Sequence, residues 1–200
     1  MFYLAKYPDD PPGYEVLSDS ANWLSWLKNV IPTGIHKDVS NRLCSNLKHI
    51  LVGLEMKAAL IKPHATRISK KSVLFEPYCQ IMTFEFNVGV FSVCEGIGAV
   101  HYLSEIGDDG STSTHVKKDD WMEALCKQFD HSSAANLKSN LACVISVRDK
   151  MHQDKLGARV KIDWHDFGYK KAFLPAFDAL QPLLTKHVGD VPVQTNLRGH

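Results

Sequence analysis

Hydrophobic and polar positions follow helical spacing along most of the chain, and alternating strand patterns are nearly absent. The spacing and the capping residues predict six helices, at about 20–30, 38–62, 77–105, 117–129, 131–156 and 164–187. Residues 1–18, in which proline, aspartate, glycine and tyrosine recur, are expected to be irregular. The predicted fold class is therefore all-α, an antiparallel bundle of about five or six helices.

The same boundaries divide the chain into three parts. We expect an N-terminal arm and short helix over 1–37, a helical bundle over 38–188 and an irregular tail over 189–200. The chain has 200 residues, of which 44% are hydrophobic and 22% charged. That balance is typical of one globular domain that can bury a core.

Prolines and glycines determine several details of the predicted helices. Pro63 is expected to end the second helix, and Pro175 to kink the last helix, which Asp163 caps. The third helix is apolar nearly all round and should be buried on most sides. Its glycines either allow close helix packing or mark a kink, and the apolar spacing around them favours close packing. These glycines are Gly89, Gly96 and Gly98.

Charge and cysteine content exclude several classes of protein. The net charge of +1 gives no general attraction to nucleic acid, so any such contact needs a local patch. The five cysteines lack CxxC spacing, which favours free, mostly buried thiols in a reducing cytoplasm. No signal peptide and no zinc-binding spacing is visible, so we expect no metal and no cofactor. The apolar segment 86–103 is short for a membrane span, and Glu95 would be costly in lipid.

The most distinctive polar group lies near the end of the fifth predicted helix, where residues 148–152 are Arg-Asp-Lys-Met-His. Arg148 and His152 are four residues apart and therefore share one helix face. An apolar stripe leads along the helix to Arg148, and a charge so placed needs an acidic partner. Glu95, the isolated acid of the apolar third helix, is one candidate partner, and Asp149 and Asp154 are local alternatives.

Residue types alone also allow a simpler interpretation of this pair. Basic side chains are favoured at the C-terminal end of a helix by its dipole, and polar pairs four residues apart are common on helices. Arg148 and His152 would then pair with acids and have no chemical role.

A late helix that carries an arginine, a polar residue and then a histidine resembles the HEPN superfamily. Arg148, Asp149 and His152 match the family motif, in which four to six residues separate the arginine from the histidine; three separate them here. Two long helices before the motif helix and one after it add to the likeness, which spans roughly 38–187.

The resemblance implies metal-independent cleavage of single-stranded RNA, in which a ribose 2′-hydroxyl attacks the neighbouring phosphate. His152 would transfer the proton and Arg148 would stabilise the negative charge on the phosphate oxygens. Asp149 and Glu95 would support this catalytic pair. Further RNA contacts would come from Lys150 and Lys155.

The resemblance also implies partners. HEPN proteins are usually homodimers in which two motif helices face one cleft, and a bacterial defence or toxin–antitoxin setting would add an antitoxin or another defence protein. Many members of the family have no nuclease activity. The alternative is therefore a non-catalytic helical module for dimerisation or interaction.

Three other groups could carry chemistry. The tripeptide 164–166, Trp-His-Asp, could transfer protons, but a helix cap at Asp163 followed by an exposed first turn explains it better. The basic segment 67–71 could bind phosphates or could simply be solvated. Cys94 could be a nucleophile, although an inert buried thiol is the better interpretation.

Overall fold

The computed structural model describes residues 2–5, 14–66, 76–150, 163–186 and 195–198. It confirms an all-α bundle. The described helices are α1 (Ser20–Val30), α2 (Lys37–Thr66), α3 (Glu76–Glu105), α4 (Lys118–Cys126), α5 (His131–Lys150) and α6 (Leu174–Lys186). Residues 151–156 of the predicted fifth helix lie outside the described part of the chain.

A short hairpin precedes the helices, where the sequence predicted an irregular arm. Strands β1 (Phe2–Ala5) and β2 (Tyr14–Leu17) pair in antiparallel register, with Phe2 opposite Leu17. Strand β2 contacts α2 and so lies against the bundle.

The end of α2 differs from the prediction, because the helix continues past Pro63 to Thr66. A proline lacks one N–H and so removes one backbone hydrogen bond. This proline lies in the last turn, and long-range packing of the preceding residues, such as Ile61, outweighs that loss.

The predicted last helix is also divided. Trp164–Phe167 form a 3₁₀ turn, Tyr169–Phe173 form a π turn, and only then does α6 begin. Gly168 interrupts the helical pattern of backbone hydrogen bonds between the two turns. Its carbonyl accepts hydrogen bonds from the N–H groups of both Ala172 and Phe173. Pro175 is the second residue of α6, a position that tolerates a missing N–H, so it begins this helix and does not kink it.

Helix α3 lies at the centre of the bundle and packs against α2, α4, α5 and α6. Trp23 and Trp26 of α1 and Trp121 of α4 are fully buried in the same core. Among the described residues, no helix is both long enough and apolar enough to cross a membrane.

The glycines of α3 allow close packing, as the spacing predicted. A Cβ atom added to Gly98 would lie 2.5 Å from the backbone oxygen of Trp121, and one added to Gly89 would lie 2.8 Å from Cδ2 of Leu54. Gly96 packs against leucines of α2 in the same way. The three glycines therefore bring α3 close to α2 and α4.

Helix α5 buries one face only, although all the residues from 141 to 145 are apolar. Ala142 and Cys143 are exposed, because they lie opposite the face that contacts α3 and α6. The buried positions follow helical spacing: Leu137, Leu141, Val144 and Val147.

All five cysteines lie in the described residues, and none of them forms a disulfide. Cys44, Cys79 and Cys94 are buried, Cys126 is partly buried and Cys143 is exposed. Burial raises the pKa of Cys94 to about 12, so this thiol stays protonated at neutral pH. The structure thus favours the inert interpretation of Cys94.

Candidate functional site

Arg148 lies in the last turn of α5 and is held at two points. Its guanidinium carbon is 4.5 Å from the ring centroid of Phe91 on α3, and its Nη1 donates to Oδ1 of Asp149 at 2.9 Å. Its side chain is 35% exposed. The apolar stripe of α5 thus ends at a cation that is anchored but still accessible.

Glu95 lies one turn along α3 from Phe91 and is exposed, whereas the sequence suggested a buried acid. Partial desolvation raises the pKa of its carboxyl, and the charge of Arg148 lowers it by a smaller amount. Of the three proposed partners of Arg148, Asp149 forms the direct ion pair. Asp154 lies outside the described residues.

Lys150 belongs to an ion-pair network with the 3₁₀ turn and the π turn. Its Nζ donates to Oδ2 of Asp166 at 2.7 Å, and Nζ of Lys171 donates to Oδ1 of the same carboxylate at 3.0 Å. Hydrogen bonds from Lys150 and then Lys171 hold the pKa of Asp166 below its usual value. The three side chains together carry a net charge of +1.

The segment that starts at Asp163 has the cap that the sequence predicted. Oδ1 of Asp163 accepts a hydrogen bond from the backbone N–H of His165 at 3.0 Å. Asp166 is engaged by two lysines. The tripeptide 164–166 is thus a capped turn that supplies an acid to an ion pair, which favours the structural interpretation over proton transfer.

Two of the predicted site residues lie outside the described part of the chain. They are His152, the expected proton-transfer residue, and Lys155, an expected RNA contact. The basic segment 67–71 is outside it as well. The pairing of Arg148 with His152 therefore stays a prediction.

A buried acid that sequence analysis missed lies on α2. Glu55 is fully buried, and its carboxylate accepts hydrogen bonds from the backbone N–H of Ser18 at 3.1 Å, from the Ser18 hydroxyl, and from Nε1 of Trp23 at 3.3 Å. These partners are 37 and 32 residues away in the sequence. Glu55 joins α2 to α1 and to the end of β2, far from Arg148 in the sequence.

A second polar contact fixes the π turn beside the candidate site. Asn87 is fully buried on α3, and its Nδ2 donates to the carbonyl oxygens of Thr83 at 2.8 Å and Ala172 at 3.3 Å. The Ala172 carbonyl lies in the π turn, so α3 holds the segment that carries Asp166 and Lys171. Nothing in the local sequence indicates this long-range contact.

Cavities lined by described residues lie elsewhere. One of about 460 Å³ has His101, Glu105 and Lys186 in its wall, and a polar groove of about 780 Å³ runs between α5 and α6. Arg148 lines neither of them. Within the described ranges, no group of three or more histidine, cysteine, aspartate or glutamate side chains could hold a metal ion.

Comparison with models of protein families, with curated proteins and with solved structures finds no match for this chain. The likeness to HEPN proteins therefore rests on residues 148–152 and on the order of the helices.

Proposed function

We propose that this protein is a HEPN-like, metal-independent endoribonuclease that cleaves single-stranded RNA. The observation that carries the proposal is the state of Arg148, which is anchored by Phe91 and Asp149 and is still one third exposed. A guanidinium has five N–H donors, and the hydrogen bond to Asp149 uses Nη1. The donors that no described residue engages are available for a phosphate, and the anchoring reduces the reorganisation that binding requires.

The chemistry needs one proton acceptor and one proton donor. The 2′-hydroxyl oxygen attacks phosphorus and loses its proton, and the bond to the 5′-oxygen breaks as that oxygen is protonated. The products are a 2′,3′-cyclic phosphate and a 5′-hydroxyl. His152 takes the first proton and returns it to the leaving group, while Arg148 binds the non-bridging oxygens. Raised pKa values suit proton transfer, so Glu95 would assist.

The proposal includes a cytoplasmic homodimer and a role in bacterial defence or in a toxin–antitoxin pair. The exposed face of α5 supports a dimer, because its short side chains allow a second helix to approach closely. These residues are Ala135, Ser139, Ala142 and Ser146. An antitoxin or another defence protein would then restrain the activity.

The test is cleavage of a single-stranded oligoribonucleotide in the presence of a chelator. We expect His152→Ala to lower the cleavage rate by about 10²- to 10⁴-fold, the usual contribution of a general acid–base residue. Arg148→Ala should also be impaired, and Arg148→Lys should recover part of the loss. His131→Ala is the matched control, since His131 is an exposed histidine at the opposite end of α5.

Two results would contradict the proposal. Wild-type protein could leave the RNA intact, or its rate could equal that of His152→Ala purified in the same way. The second result would assign the cleavage to a contaminating nuclease.

A non-catalytic interaction module is the second candidate. It is favoured by the ion pairs that already engage the basic residues, Arg148 with Asp149 and Lys150 with Asp166. This function predicts that Arg148→Ala changes self-association, measured by sedimentation, while RNA stays intact with every variant.

A further inference from the structure

Trp164 is unlike the other tryptophans of this chain. Three of the four tryptophans are 0–1% exposed, whereas Trp164 is 40% exposed. A large aromatic side chain at the surface indicates a binding site when polar and charged groups surround it in an ordered arrangement.

The indole of Trp164 has a rigid support. The 3₁₀ turn that carries it is capped by Asp163, and its ring centroid is 5.0 Å from that of Phe167. Phe167 is fully buried, and it makes an edge contact with Phe84 of α3 at 5.7 Å. The indole is thus anchored to the core on one side while much of it remains accessible.

Cationic groups lie beside this aromatic pair. Nζ of Lys150 is 6.0 Å from the Phe167 centroid, and Asp166 holds Lys150 and Lys171 on one carboxylate. Each ammonium has three N–H donors, and its hydrogen bond to Asp166, its partner among the described residues, uses one of them. Both lysines can therefore bind a phosphate without leaving the network.

The same edge of α3 leads to Arg148. Phe84 supports Phe167, and Phe91 supports the Arg148 guanidinium. These two phenylalanines are seven residues apart on one helix, about two turns or roughly 10 Å. A few nucleotides of an extended strand would span that distance.

We infer that Trp164 is the base-stacking subsite of the proposed RNA site: an unpaired nucleobase stacks on its indole while Lys150 and Lys171 bind the adjoining phosphates. This inference rests on the proposed function and names the part of the site that selects unpaired RNA. Stacking on an aromatic ring requires a base that is free of its complementary strand. The net positive charge around Trp164 favours a polyanion over an apolar protein surface.

The experiment measures binding separately from cleavage. A fluorescently labelled oligouridylate is titrated with His152→Ala protein, and affinity is taken from fluorescence anisotropy. Adding Trp164→Ala should weaken binding roughly 5- to 150-fold, the usual effect of removing a stacking ring. Trp164→Phe should recover part of the affinity. Ile106→Ala is the control, since it removes another exposed hydrophobic side chain, at the far end of α3.

Intrinsic fluorescence gives a second, site-specific measurement. Because the other three tryptophans are buried, quenching by unlabelled oligouridylate reports mainly on Trp164. We expect quenching with the single strand, a much smaller effect with a duplex of equal length, and loss of the quenching in Trp164→Phe. Lys150→Ala should weaken binding more than Lys138→Ala, which changes an exposed lysine three turns earlier on α5.

The outcomes separate this inference from the proposed function. Unchanged affinity in Trp164→Ala overturns the inference, whether or not RNA is cleaved. Trp164-dependent binding without any cleavage by wild type supports the inference and overturns the nuclease. Equal binding of duplex and single strand, or no RNA binding at all, overturns the inference. The inference is also overturned if Trp164 fluorescence becomes protected from quenching when only the protein concentration is raised, because a second copy of the chain would then cover the indole.

Discussion

Gly98 offers the sharpest test of how the bundle is packed. Replacing it by alanine adds one Cβ atom at a place where α3 and α4 are in contact. That atom would lie 2.5 Å from the backbone oxygen of Trp121 and 3.0 Å from Cε3 of its ring. Trp121 is fully buried, so neither its backbone nor its ring can move aside without disturbing the core.

Two opposing effects determine the size of the change. Alanine favours the helix by about 1 kcal/mol relative to glycine. Overpacking in a close-packed core costs about 1–3 kcal/mol. The cost here should lie near the upper end of that range, because the added Cβ meets a backbone oxygen and not a movable side chain. We therefore expect Gly98→Ala to lower the free energy of unfolding by about 1–2 kcal/mol. For a chain of this length, that lowers Tm by roughly 2–8 °C.

Gly53 is the matched control for this experiment. It lies inside α2, and an added Cβ would meet only Nζ of Lys57, the flexible end of a side chain, at 3.8 Å. Gly53→Ala should therefore raise stability by up to about 1 kcal/mol. Thermal and urea unfolding measure both variants. The packing argument fails if Gly98→Ala is as stable as wild type, or if Gly53→Ala is destabilised equally.

Three further predictions follow from buried or paired groups. Glu55→Ala removes the buried carboxylate that accepts hydrogen bonds from Ser18 and Trp23, and it should lower the free energy of unfolding by about 2–4 kcal/mol in urea titrations; Glu55→Gln, which keeps an acceptor, should lose less. A thiol reagent at pH 8 should modify Cys143 in the native protein and Cys94 only after unfolding, and Cys143→Ser should abolish the fast phase. Asp166→Asn should lower Tm at pH 7. The two lysines lower the pKa of the Asp166 carboxyl and stabilise the fold only while that carboxyl is ionised, so the difference in Tm should disappear as the pH falls below about 4. A difference in Tm that persists at pH 2 would refute the ion-pair origin.

The features that sequence analysis predicted correctly depend on neighbouring residues. Asp163 caps its helical segment through the backbone N–H group two residues later. The apolar stripe of α5 likewise follows from a spacing of three or four residues. Such interactions operate within one turn, so the local sequence contains what determines them.

The errors arise where distant contacts decide the outcome. Pro63 stays inside α2 because tertiary packing stabilises the helix around it, and a local rule cannot include that energy. The division of the last predicted helix depends partly on Asn87, which bonds to the Ala172 carbonyl from 85 residues away. The anchoring of Arg148 by Phe91 is of the same kind, since it joins two helices whose contact the sequence does not specify.

The two glutamates show why an apolar neighbourhood is a poor guide to a buried charge. Glu95 lies in the more apolar helix, yet it is exposed. Glu55 also has apolar neighbours in the sequence, Leu54 and Met56, yet it is fully buried, because Ser18 and Trp23 supply donors that offset the cost of removing a carboxylate from water. Burial of a charge thus depends on available partners. By the same reasoning, Arg148 keeps access to solvent because its described partners engage only part of its guanidinium, and this is the property that binding a phosphate requires.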